Sequence, residues 1–308
     1  MHATGPVTPN SLGYGSLVVG DQWNLRILRE AFRGARRFSE WVDALGVSDP
    51  VLAARLKDLT RLGLLQRHDA SGPPHRPEYR LSDSAKQMWQ VFVAIWLWDR
   101  RWAGGNGTFP RARLRHETCG FTVLPLLSCG NCEARGVTLF ETRVHRHAGY
   151  TYDQSNPPRP YRRVQQPADS DGQNLRAIDL LGDRWSASVL AAAFLGAHRF
   201  QQFARDIGSV PPFTLTARLG RFVEHGVLVR RPIAMGKRRM EYHLTAKGTD
   251  FFGIYACEIA WSAVAFPDRG ALPLVIEHVP CGNAFEPTFV CNSCNGRLHR
   301  REVRFEAA

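Results

Sequence analysis

The sequence repeats itself, and the repeat governs everything else that can be read from it. His116, Cys119, Cys129 and Cys132 follow the pattern His-x2-Cys-x9-Cys-x2-Cys, and His278, Cys281, Cys291 and Cys294 follow it again 162 residues later. Gly20-Asp21-Gln22-Trp23 answers Gly182-Asp183-Arg184-Trp185 at the same distance, and Arg36-Arg37-Phe38 answers His198-Arg199-Phe200. Ala54-Arg55-Leu56 and Glu78-Tyr79-Arg80-Leu81 recur as Ala217-Arg218-Leu219 and Glu241-Tyr242-His243-Leu244, now 163 residues on. One residue is gained and later lost, as surface loops tolerate. The chain of 308 residues is therefore a tandem duplication, and any fold assigned to one copy holds for the other.

Within the first copy, Trp23, Ile27, Leu28 and Phe32 are spaced for one helix that stops at Gly34. A short helix follows over 37–45. Ser48 and Pro50 then open a third, whose buried stripe is Leu52, Leu56 and Leu59 and which closes at Gly63. Two short strand-like runs around 64–69 and 77–82 flank Pro- and Gly-containing residues, as in a hairpin with an extended tip. A long aromatic helix from Asp83 to about Trp102 completes the unit. The second copy repeats each element, with Leu215, Leu219 and Phe222 as the stripe of its third helix. The expected domains are 12–105 and 174–268, each followed by a small cysteine-bearing module at 106–144 and 269–308. Residues 145–173, rich in Pro, Gly, Asp and Gln, read as a linker. Three helices and a two-stranded wing are the order of a winged helix-turn-helix, so the fold class is mainly α with small β.

These landmarks resemble the HxlR-type winged-helix regulators, relatives of the MarR group. The likeness covers about 90 residues per copy, and the Gly-x-x-Trp, Arg-Phe, Arg-Leu and Glu-Tyr-x-Leu landmarks arrive in the family's order. It implies a bacterial-type transcriptional regulator that binds double-stranded DNA as a two-fold dimer. Here the duplication supplies either an intrachain pseudo-dimer or one half of a homodimer. Some relatives sense oxidants through a cysteine just before the first helix, but positions 1–22 and 165–184 contain none.

If the leucine stripe faces inward, then at 100° per residue Val51, Ala54, Lys57 and Arg61 lie outward on the third helix, with Arg55 at the edge. Their counterparts are Thr214, Ala217, Gly220, Glu224 and Arg218, with Arg221 also outward. Small and basic side chains suit a helix entering the major groove, although a solvated helix face carries the same pattern. Basic wing tips favour the DNA reading: His75 and Arg76 in the first copy, Lys237, Arg238 and Arg239 in the second. Arg55 and Arg218 stand out as candidates for strong contacts, against the competing use of such edge arginines in intradomain ion pairs. A net charge of +12 also favours an anionic partner. Because the two outer faces differ, the expected operator is an imperfect palindrome.

Trp89, Phe92, Trp96 and Trp102, and Phe252, Tyr255, Ile259 and Trp261, give the last helices more apolar surface than one small domain covers. Packing between copies, or between chains, is the expected use; an effector pocket among them is the rarer one. Cys257 lies in this stripe and reads as a buried, inert thiol.

The repeated quartets use six of seven cysteines. Cys-x2-Cys turns let two thiolates converge on one ion, and four filled positions leave no opening for substrate. One structural zinc ion per copy is expected, in a zinc-ribbon-like module whose intervening residues form a strand between the two turns. The alternative is a pair of metal-free thiol turns. No catalytic constellation is present: no His-x-Glu with a distant Cys-x2-Cys, no nucleophile motif and no phosphate loop, so the chain is not expected to be an enzyme. No secretory leader and no stretch of about 20 apolar residues is evident, which predicts a cytoplasmic protein without membrane contact. A protein-interaction scaffold, with the metal modules as docking sites, is the competing function.

Overall fold

The computed structural model describes residues 10–69, 77–102, 112–146, 176–208, 210–233, 239–270 and 272–306. The first copy contains α1 (Ser11–Val19), α2 (Gln22–Arg33), α3 (Phe38–Leu45), α4 (Asp49–Arg61), β1 (Leu65–His68), β2 (Glu78–Leu81), α5 (Asp83–Lys86) and α6 (Trp89–Trp102). Its cysteine-bearing segment adds β3 (Arg113–His116), β4 (Leu126–Cys129) and β5 (Thr142–Arg146). The second copy follows with α7 (Arg176–Leu181), α8 (Arg184–Phe194), α9 (Phe200–Ile207), α10 (Pro212–Glu224), β6 (Leu228–Pro232), β7 (Met240–Leu244), α11 (Ala246–Thr249) and α12 (Phe252–Ala265). Last come β8 (Leu274–His278), β9 (Asn283–Ala284), β10 (Pro287–Val290) and β11 (Val303–Glu306).

The shared landmarks are caps. Asp21 accepts the backbone N–H groups of Trp23 and Asn24 at 2.9 and 3.2 Å, and Asp183 accepts those of Trp185 and Ser186 at 3.0 and 3.1 Å. Each carboxylate thereby satisfies donors that a helix start leaves open. Glu40 does the same for Arg36 and Arg37 ahead of α3, and Gln202 for His198 and Arg199 ahead of α9. Gly34 closes α2 at φ +111°, a backbone conformation that a side chain would oppose. The wings are antiparallel hairpins, with Leu65 opposite Leu81 and Leu228 opposite Leu244. Their tips, including His75, Arg76, Lys237 and Arg238, lie outside the described residues.

Three features depart from the sequence reading. Ser48 occupies the cap position of α4 without a side-chain hydrogen bond. The long aromatic helix is broken in both copies: α5 and α11 are single turns, separated from α6 and α12 where Met88 and Phe251 turn fully inward. Finally, α1 and α7 precede the first expected helix. Each packs on the last long helix of the other copy, α1 on α12 and α7 on α6.

The two copies consequently form one body. α6 packs against α12, with Trp98 and Phe251 ring centroids 4.3 Å apart. Trp98 donates its indole N–H to the Lys247 carbonyl at 3.0 Å, and its counterpart Trp261 donates to Ser84, the counterpart of Lys247, at 2.9 Å. An antiparallel bridge joins Asp21 to Asp183. Reciprocal contacts of this kind are the signature of a two-fold relation, here between halves of one chain. One continuous hydrophobic core runs through both copies.

The cysteine-bearing segments interlock as well. β3 pairs with β11, β4 with β10, and β5 with β8, all antiparallel and all between copies, while β9 extends the β5–β8 sheet. The expectation of two separate modules is therefore corrected: their strands make one joint module.

A candidate metal centre and nucleic-acid interface

The donors are carried by four tight turns. β3 ends at His116, and Gly120 at φ +74° returns its N–H to the His116 carbonyl at 2.8 Å, which lifts Cys119 beside the imidazole. Gly282 repeats the turn after His278, at φ +70° and 2.9 Å. β4 ends at Cys129, and Glu133 at φ +59° donates its N–H to the Cys129 carbonyl; Asn295 at φ +63° does so for Cys291. A positive φ at a non-glycine residue is uncommon, and both instances among the described residues sit directly after a Cys-x2-Cys pair.

All eight expected ligands fall into two clusters, but the grouping by copy is overturned. His116 and Cys119 meet Cys291 and Cys294, whereas Cys129 and Cys132 meet His278 and Cys281. The reason lies in strand pairing. β4 leaves the His116 turn to run beside β10, so the Cys129 turn at its end arrives at the other copy's His278 turn.

In the first cluster, His116 Nδ1 lies 3.2 Å from Cys119 Sγ and 3.5 Å from Cys294 Sγ, and Cys119 Sγ lies 3.8 Å from Cys291 Sγ. In the second, His278 Nδ1 lies 3.3 Å from both Cys132 Sγ and Cys281 Sγ. A tetrahedron with metal–sulfur bonds of about 2.3 Å has edges of roughly 3.5–3.8 Å, so these spacings suit one small ion per cluster. Both imidazoles are buried with Nδ1 turned toward the sulfurs, and Nε2 of each has no hydrogen-bond partner. The backbone N–H groups of Ser293 and Cys294 point at Cys291 Sγ at 3.4 Å. The Asn283 backbone N–H and then the His278 side chain bring the Cys281 thiol down to about 7. Three soft thiolates and one imidazole are a donor set that fits zinc. Cys257, by contrast, is fully buried, and burial pushes its thiol upward and makes it inert.

The outer faces of α4 and α10 depart from the helical-wheel expectation at Val51, Thr214 and Arg221. Ala54, Lys57 and Arg61 are exposed on α4, and Ala217, Gly220 and Glu224 on α10. Val51 is half-buried against the core, and Thr214 is half-buried. Arg55 forks onto Asp21, with Nη2 at 2.8 Å and Nε at 3.3 Å; Arg218 reaches Asp183 through Nε at 2.9 Å. Arg221 donates to the Asp179 carbonyl at 2.7 Å. These three arginines are thus held by intradomain partners at the feet of α2 and α8 and the end of α7. Arg61 lies 3.4 Å from Asp58, and Arg239 is exposed beside the second wing tip. Phe213, in the first turn of α10, was not among the expected contacts. It is 86% exposed, and its proline-rich surroundings were the only sequence signal for it.

The HxlR-like helix-turn-helix family matches residues 18–106 and 180–267, more than half of the chain and once in each copy. The chain belongs to the HxlR-like helix-turn-helix family. It is similar to the uncharacterized HTH-type transcriptional regulator MT3179 of Mycobacterium tuberculosis (strain CDC 1551 / Oshkosh), with 40% identity over 137 residues, 42% of this chain and 83% of that one. That relative is thus about half as long as this chain. The HTH-type transcriptional regulators YvaP of Bacillus subtilis (strain 168) and sll1512 of Synechocystis are each 33% identical. YvaP matches over 28% of this chain and 80% of its own length, and sll1512 over 25% and 58%. This HxlR-like chain is accordingly a DNA-binding transcriptional regulator of the helix-turn-helix type, in a family of regulators rather than enzymes. No helix among the described residues is long and apolar enough to cross a membrane.

Proposed function

We propose that the chain reads an imperfect palindromic operator in double-stranded DNA with α4 and α10, acting in the cytoplasm as an intrachain pseudo-dimer. One observation carries this reading: two winged helices are related by an internal two-fold axis yet present different exposed residues, Pro50, Lys57 and Arg61 against their counterparts Phe213, Gly220 and Glu224. A two-fold reader places its recognition helices in successive major grooves about 10 bp apart, and non-identical helices read non-identical half-sites. Lys57, Arg61 and Arg239 supply positive charge at the exposed surface, where phosphates give affinity without sequence preference. Each Cys3His cluster holds one structural zinc ion in this reading, since all four coordination positions are filled by side chains.

Selection of bound duplexes from a random pool tests the proposal. An asymmetric two-part motif is the expected product, and its affinity should fall steeply as salt rises. A perfectly symmetric motif would overturn the pseudo-dimer in favour of pairing between chains. No enrichment at any salt concentration would favour the interaction scaffold instead.

A further inference from the structure

We infer that each metal ion is a bond between the two copies, so that neither copy owns a complete metal site. This rests on the zinc reading above and assigns the ions a different task from stabilising two appended ribbons. Each cluster draws a His-x2-Cys turn from one copy and a Cys-x2-Cys turn from the other. Within a copy only two donors lie together, and two donors hold a small divalent ion far more weakly than four.

The backbone agrees with the side chains. β3–β11, β4–β10 and β5–β8 all pair residues of one copy with residues of the other. β4 and β10 are counterparts 161–162 residues apart and pair with each other, which puts the pseudo-two-fold axis between them and the two clusters on either side. Polar contacts across this seam follow the same rule: Asn131 donates to the Ala284 carbonyl at 2.7 Å, and Arg135 to Asn295 at 2.6 Å. An ion in either cluster therefore ties residues about 175 or 150 positions apart, and constraining such distant points removes conformational entropy from the unfolded and half-open chain.

Two measurements on the full chain test the assignment. In the double variant Cys119→Ser with Cys294→Ser, both substitutions fall in one cluster, and one tightly bound Zn2+ should remain of two. In Cys119→Ser with Cys132→Ser, one falls in each, and none should remain. The opposite pattern would mean that each copy fills its own site and would overturn the inference. Because either variant could misfold, the wild-type chain loaded with 113Cd2+ provides a second reading. Proton–cadmium correlations should join one ion to the Hβ atoms of Cys119, Cys291 and Cys294 and the other to those of Cys129, Cys132 and Cys281. Correlation of a single ion with Cys119, Cys129 and Cys132 would overturn the shared geometry while leaving the zinc reading intact. A wild-type chain that binds neither Zn2+ nor Cd2+ would overturn both, and the DNA selection would stand or fall on its own result.

Discussion

Asp21 performs two tasks at once, which explains why Arg55 is less available than its place on α4 suggests. Its carboxylate caps α2 and grips the Arg55 guanidinium, and Asp183 and Arg218 repeat the arrangement. Removing the guanidinium leaves a partly buried cap carboxylate without its charge partner. Arg55→Ala should therefore lower stability by about 1–3 kcal/mol, read as a reduced urea midpoint, and should weaken all duplexes together rather than change preference. A changed base preference at unchanged stability would assign Arg55 to direct readout instead. Phe213 predicts the reverse. An 86% exposed ring contributes little to the fold, so Phe213→Ala should leave the midpoint within about 0.5 kcal/mol. Phenylalanine meets the thymine methyl group in the major groove, so selected sites should lose a thymine preference in one half only. Sequence spacing identified the inward leucines because burial follows the helical period. It left Arg55 and Arg218 open between DNA and an intradomain ion pair, because a helical wheel carries no information about a neighbouring helix's cap.

At the scale of elements, the short first helices are the part least legible in the sequence. α1 contains Gly13 and Gly15, and its apolar residues Leu12, Leu17, Val18 and Val19 are spread around the helix rather than gathered on one face, so no amphipathic period announces it. It exists because α12 covers it: a Cβ on Gly15 would lie 1.8 Å from Ser262 Oγ and 2.9 Å from Ser262 Cβ. Gly15→Ala should consequently destabilise the chain despite its better helix propensity, and Ser262→Gly in the same chain should recover part of the loss in thermal melts. α7 is anchored in a related way. Asp99 on α6 accepts the Ala177 N–H at 3.0 Å, and Glu258 on α12 accepts the Ser16 hydroxyl at 2.9 Å. Burial pushes Asp99 up to about 8 and Glu258 up to about 7. Both carboxyls then keep their protons in the folded chain where the unfolded chain has released them. Their stabilisation is complete below about pH 4 and is lost as pH rises through about 7 for Glu258 and 8 for Asp99. Asp99→Asn removes one of the two titrations, so the difference between urea midpoints at pH 5 and pH 8 should shrink. An unchanged difference would show that Asp99 titrates normally. By contrast, the glycine helix end at Gly34, the wings and the leucine stripes were legible because each depends on residues within a few positions of one another.

For the whole molecule, duplication was readable but interlocking was not. A repeat of 162 residues permits two independent units as readily as one fused body, and the correct grouping of eight metal ligands depends on which strands pair. The excess of aromatic surface on the last helices was the one sequence signal that pointed across copies, and α6 against α12 accounts for it. Fusion has a thermodynamic consequence. With one core spanning both copies and three pairs of strands shared between them, opening either copy strips cover from the other. Leu56 is fully packed within the first copy's α4. Leu56→Ala should cost about 2–5 kcal/mol through lost burial and the cavity left behind. In two independent domains that cost would be confined to the first copy. Here, hydrogen exchange measured by mass spectrometry should accelerate in peptides from α8 and α10 as well as those from α2 and α4, because the slowest exchange in each copy proceeds through opening of the same cooperative unit. Acceleration restricted to residues before 103 would mean that the copies unfold separately and that the shared core contributes little to their cohesion.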